Sequence, residues 1–164
     1  MVGCGDSDTG SGGSGEGGGG EGGGSSATVD DAELSAMAAD YASLTKANPA
    51  PFMSAQHDGM PMVNVFYNDV ASEHYPITSG PFTFAEGSMI VKEMLGPDDQ
   101  PMMLTAMYKG PAGYDPDNGD WWWGMLTLEG EPAMPGSVGK IAMCTGCHQG
   151  QSDTDFAFGI PATE

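Results

Sequence analysis

From Thr28 onward, Leu34, Met37, Ala38, Tyr41 and Leu44 recur at three- and four-residue steps, and Thr28, Val29, Asp30 and Asp31 supply cap-type residues ahead of them. That spacing predicts an amphipathic helix, which Pro49 and Pro51 end. Beyond the prolines the period becomes two, and residues 60–67, 88–95, 101–109 and 121–128 read as strands. Turn-forming clusters separate them, as in Asn68-Asp69, Gly96-Pro97-Asp98-Asp99 and Pro116-Asp117-Asn118-Gly119. No long helix lies between successive strands to carry a parallel crossover, so the pattern predicts an antiparallel sheet and argues against doubly wound or barrel α/β folds. Short helices over residues 69–75 and 138–147 complete an α+β domain.

The segment before this pattern is of another kind. Thirteen of the 27 glycines fall within residues 1–27, among Ser, Asp and Glu with almost nothing apolar. Such a segment has no surface whose burial could offset its conformational entropy, so residues 1–27 are expected to be a disordered acidic tether and residues 28–164 one domain. The tether begins Met1-Val2-Gly3-Cys4. A small or apolar pair before a cysteine followed by a Gly/Ser spacer resembles the processing site of a bacterial lipoprotein, although the charged start and apolar stretch of a secretory signal do not precede Cys4. A lipid on Cys4 would give the domain a reach of about 25 Å from a membrane surface.

Charge removes whole classes of function. The chain carries 23 acids against four bases, all lysine, for a net charge of −19. Lys46, Lys92, Lys109 and Lys140 are too few and too scattered to read phosphates, so a nucleic-acid partner is excluded. The acidity instead favours a basic redox partner protein. Apolar runs such as Met89-Ile90-Val91 fall far short of the roughly 20 residues that a membrane-spanning helix needs.

The most informative residues are Cys144-Thr145-Gly146-Cys147-His148. In a C-x-x-C-H run, two thiols on one helical turn can reach both vinyl groups of one haem while the adjacent histidine serves as axial ligand of the iron. Two other readings compete. A thioredoxin-like dithiol would want a βαβ context, which the preceding chain does not offer. A structural zinc would need four ligands, for which His57 and His74 could join the cysteines. Covalent haem c also fixes the compartment, because c-type maturation occurs outside the cytoplasm, in agreement with the lipoprotein-like start. Only sixteen residues follow His148 and none is methionine, so a methionine ligand would have to come from upstream. There, Met89, Met102, Met107 and Met125 are expected to pack a core or line a haem face. A four-helix architecture is rejected because the chain has one convincing amphipathic helix.

The order of several short runs resembles the cytochrome P-460 family, including the β-sheet cytochromes c′-beta, over most of residues 55–160. The resemblance rests on His57-Asp58-Gly59, on Val63-Asn64-Val65-Phe66-Tyr67-Asn68-Asp69 and on Glu86-Gly87-Ser88-Met89-Ile90-Val91-Lys92-Glu93. Met107-Tyr108-Lys109, Gly119-Asp120-Trp121-Trp122-Trp123, the cysteine motif and Thr154-Asp155-Phe156-Ala157-Phe158 complete it. It implies an antiparallel sheet with flanking helices, a homodimer, and a five-coordinate haem c with His148 below the iron and an open pocket above.

In members that oxidise hydroxylamine a lysine is joined covalently to the porphyrin edge, and the lysine matching it here is Lys92. By strand alternation Lys92 shares a face with Ile90 and Met94. A lysine on such a face loses its charge, pairs with a carboxylate or reacts; the plainer alternative is an edge strand from which Lys92 snorkels to water. Catalytic members also place a carboxylate over the iron. The matching position here holds Thr105 or Ala106, a weak donor or an apolar cap where a proton acceptor is required. Losing that base is expected to slow hydroxylamine oxidation by about 10²–10⁴-fold unless Glu93 or Asp120 replaces it, and an apolar distal pocket favours neutral diatomics such as nitric oxide.

The remaining candidates are weighed on the same terms. One ring of Trp121-Trp122-Trp123 could stand against the haem, and at least one is expected in the core or a dimer contact. His57 reads as a distal residue or a turn histidine, and His74 as a surface residue. Asp153 and Asp155 are expected to bond the His148 ring or nearby backbone, or to end a helix. Together these observations predict a periplasmic or outer-surface, lipid-anchored mono-haem c protein. Its expected activity is the oxidation of hydroxylamine or nitric oxide, with electron transfer to an acceptor. The alternative is a non-catalytic nitric-oxide-binding or electron-transfer protein like cytochrome c′-beta.

Overall fold

The computed structural model describes residues 27–54 and 62–161. Most of the expected tether, with Cys4, and also His57 lie outside them. Helix α1 spans Asp31–Ala39, and Asp30 caps it by accepting the N–H groups of Ala32 and Glu33 at 2.9 and 3.1 Å. The helix is shorter than its periodicity predicts. Ser43 Oγ donates to the Asp40 carbonyl and to its carboxylate, a local alternative to helical pairing, and residues Tyr41–Ser43 form a 3-10 turn. Tyr41 and Leu44 still pack against the same cluster as Leu34 and Ala38, whereas Met37 is exposed.

Among the described residues seven antiparallel strands form one sheet: β1 (Thr45–Lys46), β2 (Phe52–Met53), β3 (Met62–Tyr67), β4 (Met89–Leu95), β5 (Pro101–Lys109), β6 (Trp121–Leu126) and β7 (Val138–Gly139). The order is β1-β3-β4-β5-β6-β7, with β2 also paired to β3. The expected α+β class with an antiparallel sheet is therefore observed, and each of the four predicted strands is present. The predicted helix over residues 69–75 is a 3-10 turn, Val70–Glu73. The predicted helix over 138–147 is corrected at its start. Val138 and Gly139 pair with Gly124 and Trp123 as β7, Gly139 adopts φ +97°, and α2 runs Ala142–His148. Among the described residues no helix is long and apolar enough to cross a membrane.

Alternation divides the sheet into two packed faces. On one, α1 places Leu34 and Ala38 against Met89, Val91, Leu104, Ala106, Trp122 and Leu126. On the other, Val65, Ile90, Met107, Trp121 and Trp123 pack with Tyr75, Phe84 and Ala157, and Cys144 of α2 borders this second cluster. Burial of apolar surface on both faces makes the central strands a rigid platform. Side chains that stand on the second face meet α2.

Candidate functional site

Between that second face and α2 lies a cavity of about 590 Å³ whose lining is mostly apolar. Ile90, Lys92 and Met94 of β4, Met103, Thr105 and Met107 of β5, and Trp123 and Met125 of β6 reach it by the two-residue alternation. Cys144, Cys147 and His148 reach it from α2. The cavity thus gathers Lys92, Thr105, Cys144, Cys147 and His148 from among the candidates the sequence offers, while His57, the other distal candidate, lies outside the described residues.

The motif is organised by one helical turn and the turn that follows it. Cys144 is half-buried, Cys147 exposed, and both are free thiols. Burial pushes the Cys144 thiol up to about 11, and the neighbouring Cys147 adds to the rise. That is the opposite of the lowered thiol expected of a redox-exchange dithiol. For the zinc alternative, among the described residues no group of three or more His, Cys, Asp and Glu is placed to hold a metal ion, and His57 lies outside those residues. His74 instead stacks on Phe82 with ring centroids 4.3 Å apart.

His148 Nδ1 lies 2.6 Å from the Phe156 carbonyl oxygen. A carbonyl can only accept, so Nδ1 carries the proton and Nε2 keeps a lone pair for a metal. Burial holds the ring's pKa down at about 4; the Phe156 bond opposes that shift and the charge of Lys92 adds to it. The imidazole is neutral at ordinary pH, the form that ligates. Trp123 and Phe158 meet the ring edge-on at centroid distances of 4.5 and 4.9 Å. Phe156 was not singled out from the sequence, because a backbone acceptor leaves no residue-type signal. Asp155, which was, bonds the Phe84 N–H rather than the His148 ring.

Lys92 is partly buried on β4, with Nζ 3.3 Å from Ser54 Oγ, and burial lowers its amine to about 8. Its direct cross-strand partners are Val65 on β3 and Thr105 on β5, both on the same face. Ala106, the alternative for the distal position, borders the cavity but packs its side chain in the α1-side cluster. Neither acid considered as a replacement base reaches the site. Glu93 points to the opposite face, where its carboxylate accepts from Tyr41 Oη at 2.6 Å and Asn64 Nδ2 at 2.7 Å. Asp120 accepts the Asp115 N–H at 2.8 Å. Among the described residues that line the cavity there is no carboxylate.

A family model described as Cytochrome P460 matches residues 39–159. The chain belongs to that family. No curated protein matches it. Membership implies a c-type haem protein, and the cavity fits that group on three counts. Its volume lies within the ~300–1,000 Å³ of ligand pockets. Its two unpaired thiols are one helical turn apart, and its histidine presents a free Nε2 beside an apolar wall.

Proposed function

We propose that this Cytochrome P460 family member oxidises small nitrogen compounds of the hydroxylamine class and passes the electrons to an acceptor protein. In this reading Cys144 and Cys147 would hold the porphyrin through thioethers, His148 would ligate the iron, Lys92 would stand at the porphyrin edge as the residue to be joined to it, and Thr105 would shape the open side. The observation that carries the reading is the placement of Lys92 in one cavity with the cysteines and His148, its amine lowered to about 8 by burial. An amine so placed is largely uncharged at mildly alkaline pH and is a nucleophile.

When bound, the haem supplies iron able to accept substrate electrons and hand them on. The chain's own contributions are distinct. His148, oriented by the Phe156 carbonyl, donates a lone pair from Nε2. The apolar strand residues exclude water, and Thr105 offers a hydroxyl to a substrate N–H or O–H group. A second reading, nitric oxide binding or electron transfer without turnover, is favoured by the missing carboxylate among the described lining residues. The strongly acidic chain fits a basic acceptor, and a lipid on Cys4 at the periplasmic or outer cell surface, with a homodimeric assembly, completes the proposal.

The test uses protein produced with c-type maturation machinery. The chain has no arginine, so trypsin cuts only after its four lysines, and the cysteine motif falls in residues 141–164. A haem peptide that also contains residues 47–109, uncut at Lys92, together with hydroxylamine-dependent reduction of an acceptor, supports the enzyme. A haem peptide limited to 141–164, with no acceptor reduction, leaves the binding protein.

A further inference from the structure

The turn after α2 is gripped by a lysine from the far end of β5. Lys109 Nζ lies 2.6 Å from Asp155 Oδ2, and both side chains are more than nine-tenths buried. The same carboxylate oxygen accepts the Phe84 N–H at 2.9 Å, while the Asp155 carbonyl accepts the indole N–H of Trp121 at 2.8 Å. Three groups distant in sequence therefore hold one residue. That residue and the next are both left-handed, Asp155 at φ +48° and Phe156 at φ +68°. An aspartate tolerates this conformation, but a phenylalanine adopts it only when its surroundings impose it. The carbonyl that this backbone directs is the one that accepts from His148 Nδ1.

We propose that Lys109 is a positioning residue for the axial histidine: through Asp155 it locks the left-handed Phe156 turn, whose carbonyl polarises His148 and so sets the histidine's donor strength toward iron. The inference rests on the reading of His148 as axial ligand. A strong N–H···O bond in a dry site gives the imidazole partial imidazolate character and makes Nε2 a better donor. Removing the lysine leaves Asp155 as an unpaired buried charge. The turn then relaxes toward right-handed backbone, and the carbonyl leaves His148.

The holoprotein carries the test, in Lys109→Met, Asp155→Asn and the double variant. The double variant leaves no unpaired buried charge and so preserves the fold where the single changes do not. Each is read by the iron–histidine stretching band in the resonance Raman spectrum of the ferrous protein and by the reduction potential. The expected result is covalent haem retained by mass, a stretch shifted to lower frequency and a potential shifted upward, with Lys109→Arg restoring at least half of both shifts. A folded single or double variant with the wild-type frequency and potential would overturn the proposal, as would a Lys109→Arg protein that behaves like Lys109→Met. Lack of an iron–histidine band in the wild-type protein is a different failure, that of the axial assignment itself.

Discussion

Lys92 and Thr105 are directly opposed across the β4–β5 ladder, so an amine and a hydroxyl stand side by side on the cavity face of the sheet. The same alternation sends Glu93 through to the other face. The cavity face therefore carries an amine and a hydroxyl, while the adjacent acid serves the core.

Thr105→Glu would put a proton acceptor where the open side has only a hydroxyl. General-base assistance is worth about 10²–10⁴-fold, so the variant should accelerate hydroxylamine-dependent acceptor reduction by about 10²-fold or more per haem. The comparison is made at equal haem content. An unchanged rate would mean that proton removal does not limit the reaction or that position 105 is not over the iron.

Lys92 also predicts a pH dependence of stability before haem is attached. Its amine is lowered to about 8 in the folded chain against 10.5 in the unfolded one. Below the lower value both states hold the proton and the folded state bears the full burial cost. Between the two, the unfolded chain binds the proton that the folded chain has released, so stability rises with pH. Relative to Lys92→Met, the urea midpoint of the unmatured chain should accordingly rise between about pH 7 and about pH 9.5, the Cys144 thiol, raised by burial, acting in the opposite direction in both proteins. A wild-type midpoint that changes over this range no differently from that of Lys92→Met would contradict the burial of the amine.

Glu93 anchors a polar network rather than the reaction. Burial, reinforced by the bond to Glu93, pushes the Tyr41 hydroxyl up to about 12, and Asn64 bridges onward to Asn48 at 3.2 Å. Glu93→Leu leaves the buried Asn64 amide without its acceptor, at a cost of about 1–3 kcal/mol, while Glu93→Gln keeps an acceptor and costs less. Neither should change the haem spectrum or the rate per haem. A rate lost in Glu93→Gln, with stability retained, would place that carboxylate in the chemistry after all.

Much of this was legible in the sequence, for reasons that differ from residue to residue. The bounds of β5 were readable because turn-forming residues flank it, Gly96-Pro97-Asp98-Asp99 before and Gly110-Pro111 after. The shared face of Ile90, Lys92 and Met94 followed from strand alternation. Strands β1 and β2 were not readable, because two residues carry no period and their pairing with β3 is non-local. The start of α2 was missed for a related reason: Val138 and Gly139 close the sheet edge, a demand of the partner strand rather than of local propensity. Thr105 and Ala106 could not be told apart until the register to Lys92 was fixed. The anchor of His148 was invisible, being a carbonyl aimed by two consecutive left-handed residues.

The central claim is a haem clamped by Cys144 and Cys147, ligated below by His148, with its upper position open. The ultraviolet-visible spectrum of the purified ferrous protein, produced with full maturation machinery, tests it most directly. The account predicts a coloured protein with a five-coordinate high-spin spectrum that changes on addition of nitric oxide. A colourless protein, or a low-spin six-coordinate spectrum indifferent to the gas, would contradict it.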